Sequence, residues 1–107
     1  MDQDGAGTDF SASSSVADGH ATVVVRGEVD MSTADAMVQA AVGGEAASAL
    51  LDLRGVTFFD SAAIHALIRL AERFPGGFQV IPSRQVRRVL DISGLSSQPW
   101  LVPDEPG

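Results

Sequence analysis

Three short apolar runs alternate with stretches of helical period along this sequence, and no other feature narrows the possible folds as much. The first is ATVVVR at 21–26, β-branched and continuously apolar through Val23, Val24 and Val25. A run of this kind suits a strand covered on both faces. Residues 49–53 (ALLDL) make the second, with Asp52 as its one polar member, and residues 78–81 (FQVI) make the third, alternating in character. Between the first two, Ala34, Met37, Val38, Ala41 and Val42 fall on one helical face at i, i+3, i+4, i+7 and i+8. Ser32, with Asp35 three residues on, reads as a capping box opening that helix, and Gly43 and Gly44 stop it.

The clearest helix runs from about 61 to 74. Its spacing places His65, Arg69, Glu72 and Arg73 on one face and Ile64, Leu67, Ile68 and Ala71 on the opposite one, before Pro75, Gly76 and Gly77 end it. Ser83 then caps a third helix that turns Val86, Val89 and Leu90 inward, and Gly94 falls where a C′ glycine belongs. At the margins, residues 10–12 suggest a short edge strand followed by a serine-rich turn, and residues 100–102 suggest a last strand. Strands alternating with helices predict a βαβ sheet with right-handed crossovers. The expected fold is a single α/β domain.

With 107 residues, the chain fits one domain and can bury a core without staples. It has no cysteine, which excludes a disulfide scaffold, a Cys-based zinc site, an iron–sulfur cluster and a cysteine nucleophile. The two histidines are too few for a His-rich metal site. No apolar run approaches the roughly 20 residues that span a bilayer, and the acidic N-terminus lacks the pattern of a secretory signal. A soluble, cytoplasmic protein is expected. Residues 1–18 carry Asp2, Asp4, Asp9 and Asp18 with no base, and Asp104 and Glu105 lie near the end. Eight acids against seven arginines remain between them. That balance favours neither nucleic acid, which needs a basic stripe, nor a membrane surface, which needs a basic amphipathic helix. The expected organisation is an acidic flexible tail at 1–9, a folded domain at 10–102 and a C-terminal tail at 103–107.

Ser61 lies one turn before His65 and two before Arg69, at the exposed side of its helix's first turn, where free N–H groups and the helix dipole favour an anion. Spacing alone leaves two readings. Asp60 and Ser61 cap the helix, or Ser61 carries a phosphate. A hydrolase built on Ser61 and His65, with Asp60 beside them, lacks the G-x-S-x-G elbow, since the residues here read F-D-S-A-A. The glycines match no phosphate-cradling loop. Asp30, Asp52 and Asp60 all fall near expected strand ends, where three carboxylates either hold Mg²⁺ or serve as caps and turns. No cofactor or metal is expected.

The segments VVVRGEVDMSTA at 23–34, LLDLRGVTFFDSAAIHALI at 50–68 and VRRVLDISGL at 86–95 resemble STAS domains, and bacterial anti-sigma factor antagonists most of all. The resemblance spans residues 23–102, with three motifs in order. It implies a mixed β-sheet with packed α-helices and a partner-switching role without catalysis. The unphosphorylated protein would bind an anti-sigma factor, itself a serine protein kinase, and free a sigma factor. Phosphorylation at Ser61 would release the partner, and a serine phosphatase would restore binding. Ser61 matches the phosphoacceptor and Asp60 the aspartate before it, while Asp30 matches an aspartate of the same partner-binding surface. The free protein would be a monomer. Ala62 and Ala63 replace the hydroxyl residue and glycine usual in the family, and Ala favours helix over Gly by about 1 kcal/mol, so this turn should be stiffer. The alternatives are a STAS subunit of another assembly, such as a stressosome or a lipid-transport ATPase complex, and, from a different class, the hydrolase above.

Overall fold

The computed structural model describes residues 9–103. The acidic segments expected at 1–9 and 103–107 lie outside the described residues except for Asp9 and Pro103.

Ala17 pairs with His20 across a two-residue turn, Asp18–Gly19, in which both φ angles are positive (54° and 75°). This is the chemistry of a tight hairpin that matches the strand twist, and it joins strand β1 (Phe10–Ala17) to β2 (His20–Val29) in antiparallel register. The serines expected to form a turn are therefore strand residues, with Ser13 opposite Val24 and Ser15 opposite Thr22. Serine has little strand preference of its own, so pairing with β2 decides the conformation here.

Helix α1 (Ala34–Val42) then returns the chain to β3 (Ser48–Phe59), and α2 (Ser61–Arg73) returns it to β4 (Phe78–Pro82). The sheet order is β1-β2-β3-β4, with β2, β3 and β4 parallel. Helices α1 and α2 pack against each other, as two crossovers of one hand between successive neighbours require. Helix α3 (Arg84–Ile92) packs on β3 and β4. Residues 100–102 form a single parallel bridge from Leu101 to Val80 instead of a full strand, fastened by the Val80 N–H donating to the Trp100 carbonyl at 2.8 Å.

One core joins Val23, Val25, Leu51, Leu53 and Val80 to Met37, Leu67, Leu70, Val86 and Leu90. Among the described residues, nothing covers the other face of the sheet. Thr22, Val24 and Leu50 are half-buried there, and Arg26, Arg54 and Gln79 are exposed. The expectation of strands covered on both faces is thus corrected. The apolar run of β2 places every second residue in the core and leaves Val24 on the open side.

Strand β3 is 12 residues long, well beyond the expected 49–53. Between Val24 and Arg26, and again between Gly27 and Glu28, its register with β2 advances by an extra residue. Each is a β-bulge in β3, and a bulge breaks the two-residue alternation locally. Buried positions accordingly go from Ala49, Leu51 and Leu53 to Val56 and then Phe59.

The helices depart from expectation in detail. The Ser32–Asp35 capping box is not formed. Thr33 is the N-cap of α1 without a side-chain cap bond, and Ser32 turns back to Asp30. The buried face of α2 is Ala63, Ala66, Leu67 and Leu70, with Ile68 exposed and Ile64 and Ala71 on the flank. In α3, Ser83 accepts from the Val86 N–H at 3.1 Å, while Val86 and Leu90 are buried and Val89 is partly so. Its C-terminus closes as a Schellman motif, the Leu95 N–H donating to Leu90 O and the Gly94 N–H to Asp91 O.

On the open face, the Asp52 carboxylate accepts from Arg54 Nε at 3.0 Å, Nη2 at 2.8 Å and the Arg54 backbone N–H at 3.1 Å. The Arg54 guanidinium is the main cause holding the Asp52 carboxyl below its usual range. A carboxyl whose pKa is lowered by folding stabilises the fold at neutral pH and loses that contribution as pH falls through its lowered pKa. Replacing Asp52 by Asn should therefore lower the melting temperature at pH 7, and the gap from wild type should close below about pH 4. A melting series against pH checks this. An unchanged gap in acid would show that the ion pair is not its source.

Candidate functional site

Strands β2 and β3 end level, with Val29 opposite Phe59. The next residues, Asp30 and Asp60, therefore emerge side by side at the C-terminal rim of the parallel strands, where open α/β sheets bind ligands. The Asp60 N–H reaches back to Val29 O at 3.4 Å. Asp60 is extended (φ −118°, ψ −169°) and caps α2, its Oδ1 accepting from the Ala63 N–H at 3.1 Å. Ser61 follows as the first helical residue, exposed to solvent.

Asp30 is fixed by its own loop. Its Oδ1 accepts from the Ser32 hydroxyl at 2.7 Å and the Ser32 N–H at 2.9 Å. These bonds, the Ser32 hydroxyl foremost, hold the Asp30 carboxyl below its usual range. Beneath the loop lies Thr33, the one buried polar residue among those described. Its hydroxyl donates to Glu28 O and accepts from the Asp30 N–H, both at 2.9 Å. Thr33→Val keeps the shape and leaves two backbone groups unpaired, at about 1–3 kcal/mol for a buried group. Urea unfolding should show that loss. A variant as stable as wild type would mean that water replaces the hydroxyl.

Two apolar side chains complete the rim, Met31 at 83% exposed and Phe58 at 47%. Sequence reasoning missed both. Phe58 is turned outward by the second bulge of β3, which no local pattern in the sequence shows. Met31 could have been found as a lone large apolar residue between Asp30 and Ser32.

Asp52 does not join the rim, because β3 continues for seven residues past it. Nor do Ser61, His65 and Asp60 form a triad. The Asp60 carboxylate is engaged by the Ala63 N–H, and Ser61 and His65 share no hydrogen bond among the described residues. Among the described residues, no group of three His, Asp or Glu side chains is placed to hold a metal ion. No described helix is long and apolar enough to cross a membrane.

The family model for the STAS domain matches residues 11–106. This chain belongs to the STAS domain family. Among solved structures, this STAS domain is similar to an anti-sigma factor antagonist from Mycobacterium paratuberculosis, with 30% identity, a TM-score of 0.78, and coverage of 92% of this chain and 90% of that one. It also shares its fold with SpoIIAA in the unphosphorylated form (20% identity, TM-score 0.65, 91% and 89% covered) and with the Bacillus cell fate determinant SpoIIAA in the phosphorylated form (20%, 0.62, 91% and 92%). No curated protein gave a significant match.

Proposed function

We propose that this STAS domain is an anti-sigma factor antagonist whose unphosphorylated form binds an anti-sigma factor with serine kinase activity, and that phosphorylation of Ser61 ends the complex. A serine phosphatase then resets it. The observation that carries this reading is the position of Ser61. It is exposed at the first residue of α2, beside a rim of two carboxylates and two exposed apolar side chains. Apolar anchors among polar groups suit a protein partner. A serine free of the core is accessible to a kinase, and a modification there need not disturb the fold.

The roles follow from the local geometry. Met31 and Phe58 supply area to desolvate, Asp30 presents a carboxylate fixed by Ser32, and Asp60 orders the helix start that carries Ser61. Residues 10–102 form the binding module, a cytoplasmic monomer when free. The likeness to the Mycobacterium paratuberculosis antagonist supports the same reading.

The direct test is incubation with ATP and the histidine-kinase-fold anti-sigma factors of the source genome, followed by mass spectrometry. Phosphate on Ser61, absent in Ser61→Ala, is the expected result. Stable binding to none of these proteins, with no phosphate on any serine, would overturn the proposal.

A further inference from the structure

We infer that His65 is the counter-charge of this switch: when Ser61 carries a phosphoryl group, the His65 imidazolium pairs with it along α2. The inference rests on reading Ser61 as the phosphoacceptor and adds a residue that determines how the modified state is held. Ser61 and His65 stand at i and i+4 of one helix, and both are exposed. Such pairs have Cβ atoms about 5–6 Å apart. Helical side chains also lean toward the N-terminus, so the imidazole tilts back over the turn that Ser61 begins. A phosphoserine oxygen and an imidazole nitrogen can close that span.

Among the described residues around Ser61, His65 is the one group able to carry a positive charge. Asp60 precedes Ser61, Asp30 lies level with Asp60 just past the end of β2, and Glu28 lies on β2. All three are acids. On α2 itself the next base is Arg69, two turns below Ser61 and 3.6 Å from Asp35 of α1. Arg73 is a further turn away, its guanidinium 5.1 Å from the Phe74 ring centroid. Glu72 shares the exposed stripe but lies three turns from Ser61. A groove beside Ile68, Ala71 and Glu72 of α2 is lined on its other side by Leu95, Gln98 and Trp100, none of them charged.

A phosphoserine has its second ionisation near pH 6, in the range where histidine carries its charge. Each charge therefore favours the other.

The test is phosphorus NMR on the full chain with phosphoserine genetically encoded at position 61, titrated through the second ionisation of the phosphate. Its midpoint should lie about half a unit to one unit lower in the wild-type background than in His65→Gln, an exposed-site discount on the usual effect of a close opposite charge. His65→Lys should restore the low midpoint. If His65→Gln does not fold, wild type in dilute and in molar salt serves instead, since screening should remove the displacement. Coincident midpoints for wild type and His65→Gln, or a displacement indifferent to salt, would overturn the inference. Because the phosphoserine is encoded, this result does not depend on any kinase. Failure of every kinase to modify Ser61 would sink the functional reading and leave the pairing measurable.

Discussion

Ser61→Glu is expected to stay folded and to bind the anti-sigma partner far more weakly than Ser61→Ala does. At the helix N-terminus an added negative charge meets N–H donors and a favourable dipole, offset by Asp60, so stability should change little. At the partner contact the balance differs. A desolvated, unpaired charge on a rim that already holds Asp30 and Asp60 should cost roughly 2–5 kcal/mol of binding. With every 1.4 kcal/mol worth tenfold, affinity should fall by roughly 30-fold to several thousand-fold. Phosphorylated wild type should fall at least as far, and Ser61→Ala should bind constitutively. Titration calorimetry of the four forms against one partner decides it. Equal affinity of the Glu and Ala variants, with no phosphate found on Ser61, would mean that no switch operates here.

Gly27→Ala should be the most damaging single-methyl change in the sheet. Gly27 has φ +91°, and a Cβ there would overlap the Asp9 carbonyl, which accepts from the Glu28 N–H at 2.7 Å. A left-handed conformation costs a non-glycine residue about 1–3 kcal/mol. The collision adds the first hydrogen bond of the β1–β2 ladder, since backbone atoms cannot swing aside as a side-chain tip can. A total loss of about 3 kcal/mol or more corresponds to a fall in melting temperature of about 12 °C or more for a domain of this size. A fall below about 5 °C would show that β1 can shift its start at little cost.

The parts of this fold legible in the sequence are those where one periodicity runs uninterrupted. Leu67 and Leu70 in α2, Val86 and Leu90 in α3, and Val23 and Val25 in β2 all repeat at the interval of their element. Legibility fails where the interval changes or where pairing overrides propensity. The serines of β1 gave no strand pattern, and the Asp18–Gly19 hairpin that pairs them lay outside the turn expected there. Beyond Leu53 the bulges stretch the buried interval from two residues to three, so Val56 and Phe59 fit neither a strand nor a helix template. At the site, Ser61 could be placed by spacing because it belongs to a regular helix. That Asp30 and Asp60 are neighbours depends on the register of two strands far apart in sequence, which no local pattern encodes.

The two bulges of β3 also act as a matched pair. One inserted residue inverts which side chains of a strand face the core, and the second inversion cancels the first. Ala49 and Phe59 therefore both point inward across a ten-residue interval that an unbroken strand would also satisfy. Parity is conserved over the strand while its length is not. Deleting the extra residue at either bulge would restore plain alternation there and leave Phe59 inward and the start of α2 in place, whereas a deletion within 49–53, where the pairing with β2 is regular, would turn the following side chains to the wrong face. Removing one residue at each bulge would shorten the strand by two and still leave α2 facing the same way. Length variation in this strand is thus tolerable at the two bulges and ruinous where the pairing is regular.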